Sequence, residues 1–410
     1  MHQQRETLHN ELHSRPSTYF DAPAHIFHLA FLDEDGTAGE MIRGLCDAHQ
    51  PTLDPDPPQG QITLGASRLK WERHTEFLTL TLVVPGRASQ HWPELPPILA
   101  DIAKTHDSIL INAEQICVES EKSWTGCIQD YGFTDPVGSD LDGGKASVFS
   151  DLRLNDGGIN RILTINYKLD GRRLGRMVRR LLEIETYRMM ASLTLPIARS
   201  LNMELRQFEA ELVRLSDQNA QAAQAHDDKA LLAQIAGLSA RIMQTATRTR
   251  LRFSATEAYA QLVFERLAEL RESRSGDCQQ LGVFIERRFR PTVRYCASTD
   301  RRLARIGNAV AQLGDLLQAR VQVEMEEQNA LILNSLSTRA DTQIKIQKAV
   351  EGLSIIAISY YLLSLLKLLY GGMLTLGLDI SPRTAILIGL PIAALIIAAI
   401  AHRIRDTKRH

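Results

Sequence analysis

Residues 352–378, GLSIIAISYYLLSLLKLLYGGMLTLGL, and residues 385–401, AILIGLPIAALIIAAIA, decide how the rest of the chain is read. The first stretch carries one charge, Lys367, and the second none. A hydrocarbon core takes roughly 20 apolar helical residues, and a lysine near one end can reach the headgroups with its ammonium. The pattern therefore predicts a two-helix transmembrane hairpin, with spans at about 352–374 and 385–401. Asp379, Ser381, Pro382 and Arg383 mark the turn between them, and Pro382, which lacks an amide donor, suits a first helical position. Arg339, Lys345 and Lys348 precede the first span and Arg403, Arg405, Lys408 and Arg409 follow the second. This bias predicts that both termini are cytoplasmic. The plainer alternative is a buried helical hairpin; segment length and the terminal basic cluster favour the bilayer.

Working outward, 44% hydrophobic and 23% charged residues are ordinary for globular material, and 410 residues suffice for two or three folding units. A formal net charge of -1 gives no global field for nucleic acid, so no nucleic-acid partner is expected. Cys46, Cys117, Cys127, Cys278 and Cys296 are scattered and odd in number, which reads as reduced cytosolic thiols rather than a zinc site. No basic run followed by an apolar stretch opens the sequence, so no secretory signal is expected.

Residues 1–170 read as an α+β cytoplasmic domain. Strands are expected at 25–31, 62–71, 77–84, 109–118 and 159–169, and helices at 39–49 and 97–105. Leu78, Leu80 and Leu82 alternate with Thr79, Thr81 and Val83, the period of a strand with one face buried. Residues 51–59 and 135–144 are rich in Pro, Asp and Gly and read as surface loops.

After Gly171 the period becomes helical, and residues 171–350 read as a long-helix bundle or coiled-coil stalk before the membrane hairpin at 351–410. Leu201, Leu205, Phe208, Leu212 and Leu215 form one seam, Leu231, Ile235, Leu238 and Ile242 a second, and Leu303, Ile306, Val310, Leu313 and Leu317 a third. Seams of this kind need partners, which predicts a homo-oligomer. Pro196 and Pro291 are expected to kink or break their helices, and Gly276 with Asp277 marks a break before the third. From Arg301 to the first span no strong breaker intervenes, so roughly fifty helical residues would make a rod of ~75 Å.

The segments His9-Asn10-Glu11-Leu12-His13-Ser14-Arg15-Pro16, Trp71-Glu72-Arg73-His74-Thr75-Glu76-Phe77 and Leu182-Glu183-Ile184-Glu185-Thr186-Tyr187-Arg188-Met189-Met190 carry a resemblance. They resemble hallmark segments of an uncharacterised bacterial family of membrane-anchored proteins, a domain of unknown function, over nearly the full chain. The resemblance implies a bacterial inner-membrane location and supplies no activity. In plan the chain is also similar to CorA-type magnesium channels, which carry Gly-Met-Asn, usually after Tyr, in the loop following the first span. Here Tyr370, Gly371, Gly372 and Met373 fall near that place, but Leu374 stands where Asn should be. Leucine offers no oxygen to a hydrated cation, and Lys367 would repel a divalent ion in a pore.

His9 and His13 share a helix face and are the candidate metal pair, although a zincin motif needs Glu directly after the first His and Glu11 comes two positions on. Trp71, Glu72, Arg73, His74 and Glu76 concentrate groups that donate, accept or titrate and form a candidate ligand region, against the plainer reading of a strand and turn with paired surface charges. Arg179, Arg180, Glu183, Glu185 and Arg188 are spaced to pair along or between helices. Asp142, Gly143, Gly144 and Lys145 lack phosphate-loop spacing, with Ala146 where Ser or Thr should follow, and no glycine fingerprint opens a helix, so no cofactor is expected. The functional expectation is a non-enzymatic, oligomeric scaffold or sensor. The alternative is a CorA-like cation channel or transporter, with a divalent cation as partner and Lys367 and Tyr370 to Met373 at the pore or loop. A third class, an enzyme using the Trp71 region, ranks last.

Overall fold

The structure, a computed structural model, describes residues 2, 5, 9, 17–33, 36–221, 225–376 and 381–406. His13, the turn residue Asp379 and the tail residues Lys408 and Arg409 lie outside the described residues. The contacts divide the chain into two compact units: Met1–Ala222 with Lys229–Gly314, and Ala223–Asp228 with Asp315–His410.

The first unit is built on a mixed sheet. In chain order it runs β1 (Ala24–Leu32), α1 (Thr37–His49), β2 (Gln59–Leu64), β3 (Ser67–Arg73), β4 (Phe77–Pro85), α2 (Pro97–Thr105), β5 (Leu110–Ser120), β6 (Val137–Leu141), β7 (Ala146–Ser150), β8 (Asn160–Asn166), α3 (Gly171–Ser192), α4 (Thr194–Gln221), α5 (Ala225–Glu269), β9 (Ser273–Arg274), α6 (Leu281–Thr375) and α7 (Pro382–Asp406), the last elements passing into the second unit. Strand order is β2-β3-β4-β1-β5-β8-β7-β6-β9. Among the named strands of the described residues, β5 and β8 pair in parallel and the other pairs are antiparallel.

Strand alternation divides the side chains between two faces. Phe27, Leu29, Phe31, Leu78, Leu80 and Leu82 pack with Ile42 and Leu45 of α1 and Leu99 of α2. Ala24, Ile26, Ile116, Val118 and Ile162 face the other way, against Leu174, Val178 and Leu181 of α3. The face of β4 carrying Thr79 and Thr81 is therefore not open to water, as one-sided burial implied: α3 lies over it, and Thr79 is buried.

Several expected elements differ. Residues 62–71 are not one strand but a hairpin of β2 and β3, because Gly65 turns the chain with a left-handed φ of 61°. Residues 135–144 are not simply a loop. They contain β6, which pairs with β7 and, at Ser139 and Asp140, with β9. Pro291 lies inside α6 without breaking it. Pro196 falls in the first turn of α4, where a missing donor costs little, and the break comes at Leu193 between α3 and α4.

The three apolar seams are buried within this one chain. Leu201, Leu205, Phe208 and Leu215 of α4, Leu231, Ile235, Leu238 and Ile242 of α5, and Leu303, Ile306, Val310 and Leu313 of α6 are all buried, and Leu212 is half-buried. Asn202 Nδ2 donates to Tyr295 Oη at 2.7 Å and Arg302 pairs with Glu209, so α4 and the start of α6 run parallel. Arg248 meets Glu204 at 3.3 Å and Arg241 meets Glu211, so α5 runs against α4. The seams thus find their partners internally, and the expectation that they draw in other chains is corrected on that point.

In the second unit Arg320 makes a forked pair with Asp228, with contacts of 2.5 and 3.2 Å, and Leu317 is buried. Beyond it α6 exposes Val323, Leu331, Leu333, Leu336, Ile344 and Ile346. Two helical stretches are long and apolar enough to cross a membrane. None of the window in α6 and 6% of that in Pro382–Ile400 is buried. Lys367, Tyr370, Gly371, Gly372 and Met373, expected at a pore or loop, lie in the last turns of α6 and not in a loop.

Candidate functional site

Between the sheet and α3 lies a cavity of about 50 Å³, room for a few waters or a small polar group. The strands contribute His28, Lys70, Glu72, Thr79 and Thr81 to its lining, and the β3–β4 turn contributes His74. The helix contributes Gly175, Arg179, Glu183, Thr186 and Tyr187, on one stripe at helical spacing. These polar and charged groups stand among the apolar side chains of Ile26, Phe77, Val83, Val178 and Leu182.

Of the expected ligand region, Glu72 and His74 line the cavity and the others do not. Trp71 points to the opposite face, buried in the α1–α2 core, with its Nε1 donating to the Pro57 carbonyl at 3.4 Å. A Cβ built on Gly39 of α1 would come within 3.9 Å of the Arg73 guanidinium, so Arg73 reaches that same face. Glu76, beyond the strand end, accepts from Arg252 Nη1 at 3.0 Å and from Tyr259 Oη at 2.9 Å. The hallmark segment thus splits by the strand period. His9 is exposed, and no group of three His, Cys, Asp or Glu side chains among the described residues is placed to hold a metal ion.

Charges in the cavity wall are linked. Lys70 meets Glu72 at 3.0 Å, Arg179 meets Glu72 at 3.4 Å and Glu183 at 2.7 Å, and Arg266 of α5 meets Glu183 at 2.5 Å. The chain continues through Glu269, which pairs with Arg266 and with Arg180, both at 2.8 Å. Burial lowers the Lys70 pKa, and Glu72 partly offsets that. Burial, with the Glu183 carboxylate adding to it, pushes the Tyr187 hydroxyl up to about 12. Phe77 and Tyr187 line the cavity, and the ring of Tyr259 meets both, stacked on Tyr187 with centroids 5.8 Å apart.

At the inner end, His28 bridges Thr81 Oγ1 at 2.8 Å and Thr186 Oγ1 at 3.1 Å. Burial pulls its pKa down to about 3, so the imidazole stays neutral in the folded chain. Asn112 Nδ2 donates to Thr186 Oγ1 and to Glu114 Oε1 at 3.2 and 2.8 Å. Burial and the nearby Glu185 carboxylate raise Glu114 well above the usual carboxylate range. Glu185 itself is gripped by Arg188, with a closest contact of 2.6 Å.

The hydroxyl–imidazole contacts in this cavity are those of His28 with Thr81 and Thr186, and its lowered pKa makes that imidazole a weak base. Cavity and network depend on α3 pairing with strands far away in the chain. Arg179, Glu183 and Tyr187 therefore could not be joined to Glu72 and His74 from spacing alone, whereas Lys70, two residues before Glu72 on the same strand, shares its face by the strand period.

Sheet, polar cavity, long helices and two terminal apolar helices define an α+β protein with a long helical extension. The chain belongs to the family described as "Protein of unknown function (DUF3422)", which matches residues 1–408. No curated protein matches the chain, and the likeness of plan to CorA-type channels gains no support from these comparisons.

Proposed function

We propose that this protein is a membrane-anchored, cytoplasm-facing sensor or scaffold, held in a bacterial inner membrane by α7 and the end of α6 and carrying a binding unit built on the mixed sheet. The observation that carries this reading is the exposure of the apolar helices: Leu353, Leu368, Leu387 and Leu395 are each at least 69% exposed. Contiguous apolar surface of that extent is unstable in water and is satisfied by lipid. Basic residues flanking both spans support cytoplasmic termini. The weak basicity of His28, the imidazole beside the threonine hydroxyls of the cavity, favours sensing or scaffolding over catalysis.

Self-association belongs to the same proposal. It rests on the apolar side chains exposed along α6 at Val323, Leu331, Leu333, Leu336, Ile344 and Ile346, not on the internal seams. The test is membrane fractionation of cells producing the full chain. The chain is expected to stay in the pellet after alkaline carbonate and to leave it in detergent, and in right-side-out vesicles the sheet unit should resist added protease. Release by carbonate sinks the anchor, and digestion of the sheet unit sinks the orientation. A channel would need several chains around a pore; cation flux from reconstituted vesicles would replace the sensor reading.

A further inference from the structure

A second concavity in the first unit differs from the buried cavity in size, charge and access. It is a half-open cleft of about 670 Å³, within the range of about 300–1,000 Å³ typical of small-molecule sites. Its walls are the β6–β7 turn, the N-terminal half of α3 and the residues just past the end of α5. Five cations line it: Lys145 from the turn, Arg173, Arg176 and Arg180 from α3, and Arg271 after α5. Only two carboxylates, Asp142 and Glu269, lie among them.

The pairing leaves positive charge over. Lys145 meets Asp142 at 3.0 Å and Arg180 meets Glu269 at 2.8 Å, while Arg173 has only a 3.7 Å contact with the exposed Asp170. Arg176 and Arg271 make no side-chain hydrogen bond and no ion pair within 4 Å among the described residues, although Asp170 feels the charge of Arg176 and Asp142 that of Arg271. The excess is local, since the chain as a whole carries -1. Arg173, Arg176 and Arg180 also fall on one stripe of α3, where like charges three and four residues apart repel. A multivalent anion would relieve that repulsion and gain from the field that a concave surface concentrates.

We propose that this cleft binds a phosphate-bearing polyanion, with two or more phosphoryl groups seated between Arg176 and Arg271. Guanidinium forks match phosphate oxygens two at a time, which distinguishes phosphate from a simple counter-ion held by lysines. Lys145 closes the third side. The turn Asp142-Gly143-Gly144-Lys145 is not a phosphate loop; it is a hairpin turn that presents one lysine to arginines of another element. The site stands independently of the membrane reading, because every wall belongs to the first unit. It also touches the charge chain of the buried cavity at Arg180 and Glu269, so an anion competing for Arg180 would disturb that chain at its outer end.

The test is calorimetric titration of the full chain in phosphatidylcholine nanodiscs with sodium pyrophosphate, and separately with sodium sulfate at matched ionic strength. Expected is saturable pyrophosphate binding that weakens with added salt, weak or no sulfate binding, and unchanged binding in Arg287→Ala, an exposed arginine outside the cleft. The double variant Arg176→Ala/Arg271→Ala should bind at least about tenfold more weakly at an unchanged melting temperature, the loss expected when charge-assisted hydrogen bonds are removed. Equal binding by the double variant, or sulfate binding as tight as pyrophosphate, overturns the proposal. Nanodiscs containing phosphatidylglycerol separate the sources of phosphate. Apparent pyrophosphate affinity that falls as phosphatidylglycerol is added to the native chain, with no such fall in the residual binding of the double variant, assigns the cleft to lipid headgroups; unchanged affinity assigns it to a soluble phosphorylated compound.

Discussion

Glu114 is 1% exposed, its Oε2 has no hydrogen-bond partner among the described residues, and Glu185 faces it across the sheet–α3 boundary. Its pKa lies well above that of an unfolded glutamate, about 4.3. The folded chain therefore holds a proton that the unfolded chain gives up, and the stabilising contribution present below the unfolded pKa is lost as pH rises toward the folded one. Glu114→Gln keeps an acceptor for Asn112 and removes the ionisation. Its melting temperature should gain on wild type as pH goes from 5 to 8, and a gap independent of pH would show that Glu114 does not carry this dependence. His28 works in the opposite direction. Its depressed pKa means that the unfolded chain takes up a proton first, so its contribution is lost as pH falls from about 6.5 toward about 3. The polar seam is thus stable in a window bounded by two buried groups of opposite behaviour.

At the scale of elements, the approach of residues 17–21 to α3 is set by Gly175, whose missing side chain makes room for the Thr18 carbonyl. Because backbone blocks the space, Gly175→Ala should destabilise by about 1–3 kcal/mol in denaturant unfolding. Gly44, exposed on α1 with nothing near it, should respond oppositely, with Gly44→Ala gaining about 0.5–1 kcal/mol. Equal effects at both sites would remove the claim that segment 17–21 is seated on α3. Strands β1, β4, β5 and β8 and helices α1 and α2 were legible in the sequence because long apolar alternation or helical spacing marks them. The β2–β3 turn was not, since Gly65-Ala66-Ser67 carries no Pro or Asn-Gly signal. β6 was hidden for a different reason: Val137-Gly138-Ser139-Asp140-Leu141 has turn composition. Its polarity is used inside the fold, where Ser139 Oγ accepts from Leu281 N and donates to Glu272. The site was half legible. Trp71, Glu72, Arg73 and His74 marked the right strand, but a period of two sends only Glu72 and His74 to the cavity, and their partners on α3 lie about a hundred residues away.

For the whole molecule, burial is divided unevenly along one continuous helix. Through Leu303, Ile306, Val310 and Leu313, α6 shares the core of the first unit, whereas residues 325–350 are exposed on every side. Helical hydrogen bonds without tertiary cover open with little free energy, so a lone chain should exchange the amides of 325–350 far faster than those of 303–313. Self-association through Leu331, Leu333, Leu336, Ile344 and Ile346 would bury this stretch and slow its exchange. Hydrogen exchange on the full chain, followed by mass spectrometry at high and low chain-to-lipid ratio, reads this directly. Slow exchange at 325–350 that becomes fast on dilution in lipid is the expected outcome. Fast exchange at both ratios, beside a protected 303–313, would sink the oligomer and leave a monomeric anchor whose binding unit works alone.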